Sequence, residues 1–126
     1  MHVVAALAVA LVALAHLYFL ALEMFFWTKP LGLRTFGMTQ DFANATAVLA
    51  ANQGLYNGFL AAGLIWSLLD AQRGFALKLF FLACIVAAGV YGGLTAKMTI
   101  LYVQALPAAV AFVLVLLAGG RGTRWP

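Results

Sequence analysis

Two ionisable side chains, His16 and Glu23, interrupt a long apolar run that includes HLYFLALEMFFW. Charged or titratable groups at membrane depth are costly and normally face a protein interior, so their presence asks for a function or a partner. A carboxyl in that position suits acid–base work, and an imidazole suits a relay or an orienting role. The two are seven residues apart, hence on one helical face, but about 10.5 Å apart along the axis. That separation excludes a shared metal ion. His2 stands at the start of the chain and Cys84 alone in FFLACIVAAG, so no metal site, disulfide framework, haem or other cofactor is expected.

Further polar groups lie in the later apolar segments: Asn52, Gln53 and Asn57 in the second, Tyr91 and Thr95 in the third, and Tyr102 and Gln104 in the fourth. Helical rise converts position into depth. Counted from Trp27, Glu23 lies about 6 Å and His16 about 16 Å below the face that carries the first loop. Counted from Ala43 on that same face, Asn52 and Gln53 lie about 14–15 Å down and Asn57 about 21 Å. Tyr91, Tyr102 and Gln104 fall within about one to two turns of the same surface, near the level of Glu23. The expectation is a polar column running from the first-loop face to mid-membrane, with Glu23 and His16 as catalytic pair, the remaining seven as ligand-binding groups, and Phe36 and Met38 of the first loop as a lid.

The elements that must hold these residues follow from composition. With 67% hydrophobic and 8% charged residues in 126, the chain cannot keep a water-facing surface solvated, because a soluble domain carries roughly a quarter charged residues. Lipid is therefore the expected solvent. Four segments reach the roughly 20 residues that a span requires: 3–27, 43–69, 75–95 and 99–117. The predicted fold is all-α, a four-transmembrane-helix antiparallel bundle forming one integral membrane domain, since connections such as DAQRG and AKM are too short for anything but antiparallel neighbours. Pro30 and Gly32 should break the first loop, and Thr39 or Asp41 should cap the second helix. Pro107 should free a carbonyl near Val103, bend the fourth helix and widen the mouth of the pocket. Trp27, Tyr102 and Trp125 suit interfacial anchors.

The net charge of +4 comes from seven scattered cations, each beside an apolar run, which suits headgroups and not a nucleic-acid groove. Arg73, Lys78, Arg121 and Arg124 share a side with both termini, against Lys29, Arg34 and Lys97 opposite. The positive-inside rule then puts both termini in the cytoplasm, and a chain without targeting motifs defaults to a bacterial inner membrane. Gly54 with Gly58, and Gly89 with Gly93, form two G-x-x-x-G faces, which serve either close packing within the bundle or a homo-oligomer seam.

The strings HLYFLALEMFFW, AANQGLYNGFLAAGLIW, YGGLT and VQALPA resemble a family of small bacterial and fungal integral membrane proteins, the domain-of-unknown-function family thirteen-oh-four. The resemblance covers about His16 to Ala109. It implies a four-helix membrane protein with His16, Glu23, Asn52, Gln53, Asn57, Thr95 and Gln104 as motif positions, and it implies no substrate.

Three functions compete on this reading. The first is a pocket for a small lipophilic molecule, with acid–base chemistry such as isomerisation, hydration or epoxide opening. The second is a small transporter component whose conduit is completed by oligomerisation. The third is an accessory subunit of a larger membrane complex, in which the glycine faces would matter more than Glu23.

Overall fold

The computed structural model describes residues 1–119, all in helices and short connections, with no strand among the described residues. Helix α1 covers His2–Met24, α2 Pro30–Phe36, α3 Gln40–Leu69 and α4 Gly74–Thr95. A last run comprises a single turn α5 (Met98–Ile100), a π-helical turn (Leu101–Ala105) and α6 (Leu106–Gly119). The all-α expectation holds. Arg121, Arg124 and Trp125, used above for charge and anchoring, lie outside the described residues.

Three helical runs are long and apolar enough to cross a membrane: His2–Met24, Gly74–Thr95 and Met98–Gly119. The 30-residue α3 has the length, but Gln40, Asp41, Asn44, Asn52, Gln53 and Asn57 dilute its apolar content. The surface is inverted relative to a soluble protein. Val48 is 78% and Leu69 80% exposed, whereas His16 is 1% and Asn57 7% exposed.

The chain divides into two compact units. The first, residues 14–61, holds the C-terminal half of α1, α2 and most of α3. Its α3 buries Ala43, Ala50, Gly54, Asn57 and Ala61, a spacing of threes, fours and sevens that keeps one narrow stripe against a partner helix. That partner is α1. A Cβ placed on Gly54 would stand 2.8 Å from Met24 Cγ and 3.0 Å from Glu23 Cβ, and one on Gly58 would stand 2.6 Å from Leu20 Cδ1. Only a missing side chain lets the two backbones come so close.

Residues 28–40, expected as an irregular loop with a lid, instead contain α2. Pro30 occupies its first position, where a missing N–H costs nothing. Gly32 sits so close that a Cβ would run into the carbonyl oxygen of Phe26 and lie 2.7 Å from that of Trp27. Gly37 closes the helix with a left-handed φ of 63°, its N–H donating to the carbonyl of Leu33. Phe36 packs on Trp27, ring centroids 4.8 Å apart, and Trp27 Nε1 donates to Thr46 Oγ1 at 3.0 Å. The segment is thus tied down by its own side chains. Between Thr39 and Asp41, Thr39 is the cap, accepting the N–H of Phe42 at 3.2 Å. Helix α1 stops at Met24, three residues before the expected end, where the N–H groups of Phe25 and Phe26 both reach the carbonyl of Ala21.

The second unit comprises residues 1–13 and the chain from Ala62 onward. Helices α4 and α6 form an antiparallel pair across the tight Ala96–Lys97 connection. A Cβ on Gly89 would lie 2.6 Å from the backbone nitrogen of Ala105, and one on Gly93 would lie 2.9 Å from Leu101 Cβ. Pro107 lacks an N–H and its ring crowds the carbonyl four residues back. The chain absorbs this by widening into the π turn, whose closing bond runs from the N–H of Leu106 to the carbonyl of Leu101. The turn between α3 and α4 is held by Asp70, whose Oδ1 accepts the N–H of Arg73 at 2.8 Å and of Gln72 at 3.0 Å.

Candidate functional site

Of the nine residues singled out from sequence, five fall in the unit formed by residues 14–61, and three of those five are turned inward. Asn57 on α3 donates from Nδ2 to Glu23 Oε1 on α1 at 3.0 Å. Gly54, on the same face of α3, makes the bond reachable by admitting Glu23 Cβ. The second carboxyl oxygen, Oε2, is buried and has no hydrogen-bond partner among the described residues. Unmatched buried oxygens are uncommon in folded proteins because the lost hydration is not replaced.

His16 is enclosed elsewhere on the same helix, 1% exposed, with the edge of Phe19 at a ring-centroid distance of 5.3 Å. Two helical turns separate it from Glu23, about 10.5 Å along α1, so the two do not act on one atom.

Asn52 and Gln53 are not brought to this pair. Both lie on exposed parts of α3, and Asn52 Nδ2 donates to the carbonyl of Val48 on its own helix at 2.9 Å. At about 100° per residue, Asn52 is turned about 140° away from Asn57 and so away from α1. The expected depths are corrected as well: counting set Asn57 about 15 Å below Glu23, whereas the two are hydrogen-bonded, because Gly54 is level with Glu23 and Met24 and the first turns of α3 run past the end of α1. The inward-facing members in this unit are thus Glu23, Asn57 and His16, of which the first two are bonded to each other.

The other four belong to the second unit. Tyr91 is 71% and Tyr102 62% exposed. Thr95 is exposed and donates from Oγ1 to the carbonyl of Tyr91 at 2.6 Å, an internal helix bond. Gln104 is half-buried within the π turn. Among the described residues no group of three or more His, Cys, Asp or Glu could hold a metal ion.

Two features went unread in the sequence. Gly54 and Gly58 were legible as a close-packing motif, but not as the seat of Glu23. Lys78, counted only as a topogenic charge, reaches the carbonyl of Ser67 with Nζ at 2.7 Å. A lysine one turn inside an apolar helix, opposite the end of the preceding one, was the available signal.

Comparison with known proteins gives a family and no substrate. The chain is 30% identical over 105 residues to the uncharacterized protein YpaA of Lactococcus lactis subsp. lactis (strain IL1403), covering 82% of this chain and 88% of that one. No solved structure matches it. Residues 10–116 match the model of a family described as protein of unknown function (DUF1304), and the span takes in Glu23, His16 and Asn57 together with both glycine pairs: the chain belongs to the DUF1304 family.

Proposed function

We propose that this protein crosses the bilayer four times and receives a small lipophilic molecule at Glu23, with the ligand's O–H or N–H group donating to Oε2 and Glu23 serving as acid or base toward it. The observation that carries the reading is the buried, unmatched Oε2 beside an Oε1 already held by Asn57. One oxygen fixes the carboxyl and the other is left to act. A ligand that is otherwise apolar can arrive from the membrane and forfeit little hydration on entry.

The fourth crossing is α3. Its 30 residues extend about 45 Å, more than the roughly 30 Å hydrocarbon core. The outward residues Val48, Leu49 and Phe59 suit lipid, while Asn57 is shielded. Four crossings return both termini to one side, where the cation balance favours the cytoplasm of a bacterial inner membrane.

The test is mass spectrometry of lipophilic molecules released from protein purified in mild detergent. Glu23→Gln keeps an oxygen for Asn57 but places an amide nitrogen, a donor, where Oε2 stood. A compound present in the wild type and lost from folded Glu23→Gln is expected. Identical small-molecule profiles from both proteins would sink the reading.

A further inference from the structure

In the unit formed by residues 1–13 and the chain from Ala62 onward lies a partly open cavity of about 320 Å³. His2 and Lys78 stand on it together with the apolar Leu68, Phe75, Val115 and Ala118. The level is telling. His2 begins α1, Lys78 lies one turn inside the start of α4, and α6 ends at Gly119, which also lines the cavity. Helices α1 and α4 and the whole run Met98–Gly119 that α6 completes are long and apolar enough to cross a membrane, so the cavity sits where such spans end, at the boundary expected for headgroups and acyl chains.

Its chemistry is lopsided. Lys78 spends one of its three N–H donors on the carbonyl of Ser67, which marks the end of α3, and has no second partner among the described residues. His2 supplies a further donor. No carboxylate is among the described residues that line the cavity. A cation whose nearest partner is a neutral carbonyl, set in apolar walls, is complementary to an anion with an apolar tail. The volume is at the lower end for small-molecule sites and fits a headgroup with its first methylenes, not a whole lipid.

We infer that this cavity is a binding site for an anionic phospholipid, the phosphate on Lys78 and His2 and the start of the acyl region against Phe75 and Val115. Basic pockets between spans on the cytoplasmic side have this use, and it is independent of the Glu23 site.

The experiment is native mass spectrometry of the full chain in detergent micelles, offered equal amounts of phosphatidylglycerol and phosphatidylcholine. Retained phosphatidylglycerol should fall about fivefold in Lys78→Gln, one near-surface cation being worth about that factor. Lys78→Arg, which keeps the charge, should restore it. Ala6→Phe, at a half-buried cavity position, should block retention by filling the space while leaving Lys78 in place. Lys97→Gln, which removes an exposed lysine at the far end of α4, should change nothing. Equal losses in Lys78→Gln and Lys97→Gln would overturn the site in favour of general surface charge. Displacement of the lipid by millimolar inorganic phosphate would overturn the lipid as occupant in favour of the free anion. Should Lys78→Gln fail to fold, undiminished retention in Ala6→Phe would overturn the proposal by itself.

Discussion

Asn57 holds Glu23 by one oxygen: Nδ2 donates to Oε1 at 3.0 Å while Oε2 stays buried without a hydrogen-bond partner among the described residues. The bond joins α1 to α3 thirty-four residues apart in sequence.

Removing the donor should cost more than altering the acceptor. Asn57→Ala leaves both carboxyl oxygens unmatched and is expected to destabilise the protein by about 1–3 kcal/mol. Glu23→Gln retains an oxygen for Asn57 and should cost less than half as much. Replacing both by leucine should approach neutrality, since no buried polar atom then remains. Thermal unfolding of the four proteins in one detergent checks the order, and an Asn57→Ala protein as stable as wild type contradicts it.

Gly54 should tolerate no side chain of appreciable size. With Met24 Cγ 2.8 Å and Glu23 Cβ 3.0 Å from the site of a Cβ, Gly54→Val must push α1 from α3, at about 1–3 kcal/mol for overpacking. Gly92→Ala makes a useful contrast, its nearest neighbour being the flexible Ile100 Cγ2 at 3.1 Å. The melting temperature should fall clearly in the first variant and little in the second. Any ligand that depends on Glu23 should be lost with Gly54→Val.

Gly32 carries the docking of α2. A Cβ there meets the carbonyl oxygens of Phe26 and Trp27, backbone atoms that cannot swing aside. Gly32→Ala should therefore free residues 28–38 from Trp27 without unfolding α1 or α3. Faster limited proteolysis in that segment, with unchanged helical circular dichroism, is the expected pair of results. A cleavage rate equal to wild type would show that α2 accommodates the methyl group.

Asp70 links the second turn to pH. The N–H of Arg73, with smaller help from that of Gln72, holds its carboxyl below the ordinary carboxylate range. A carboxyl whose folded value is depressed stabilises the fold above its unfolded value, roughly pH 4, and loses that contribution as pH falls through the folded value. Asp70→Ala should hence melt lower than wild type at neutral pH, with the two curves converging as pH falls through the depressed folded value. A gap that persists into acid would assign the effect to something other than ionisation.

Some of this was available before any coordinates. The paucity of charge and the length of the apolar runs demanded helices in lipid, because an unpaired backbone cannot survive in hydrocarbon. Gly89 and Gly93 announced a close approach, and Pro107 announced a disturbance in the last helix. The Thr39 cap was also legible, but α2 was not: Pro30 and Gly32, expected as breakers, lie inside it, since seven residues of PLGLRTF carry too little periodicity to declare a helix.

What sequence alone determined about this protein is its helical, apolar character and the spacing within each helix. Counting from Trp27 and Ala43 set Asn57 about 15 Å deeper than Glu23, whereas a 3.0 Å hydrogen bond joins them and Gly54 stands level with Glu23. What the tertiary structure decided is register and direction. Rotation about α3 matters only once α1 has taken the Gly54–Gly58 face, and that choice turns Asn57 onto Glu23 while leaving Asn52 bonded to Val48 and Gln53 exposed. The same holds for Lys78, whose role depends on where α3 ends in space. Spacing along a helix is a property of one segment, whereas relative level and facing are properties of two.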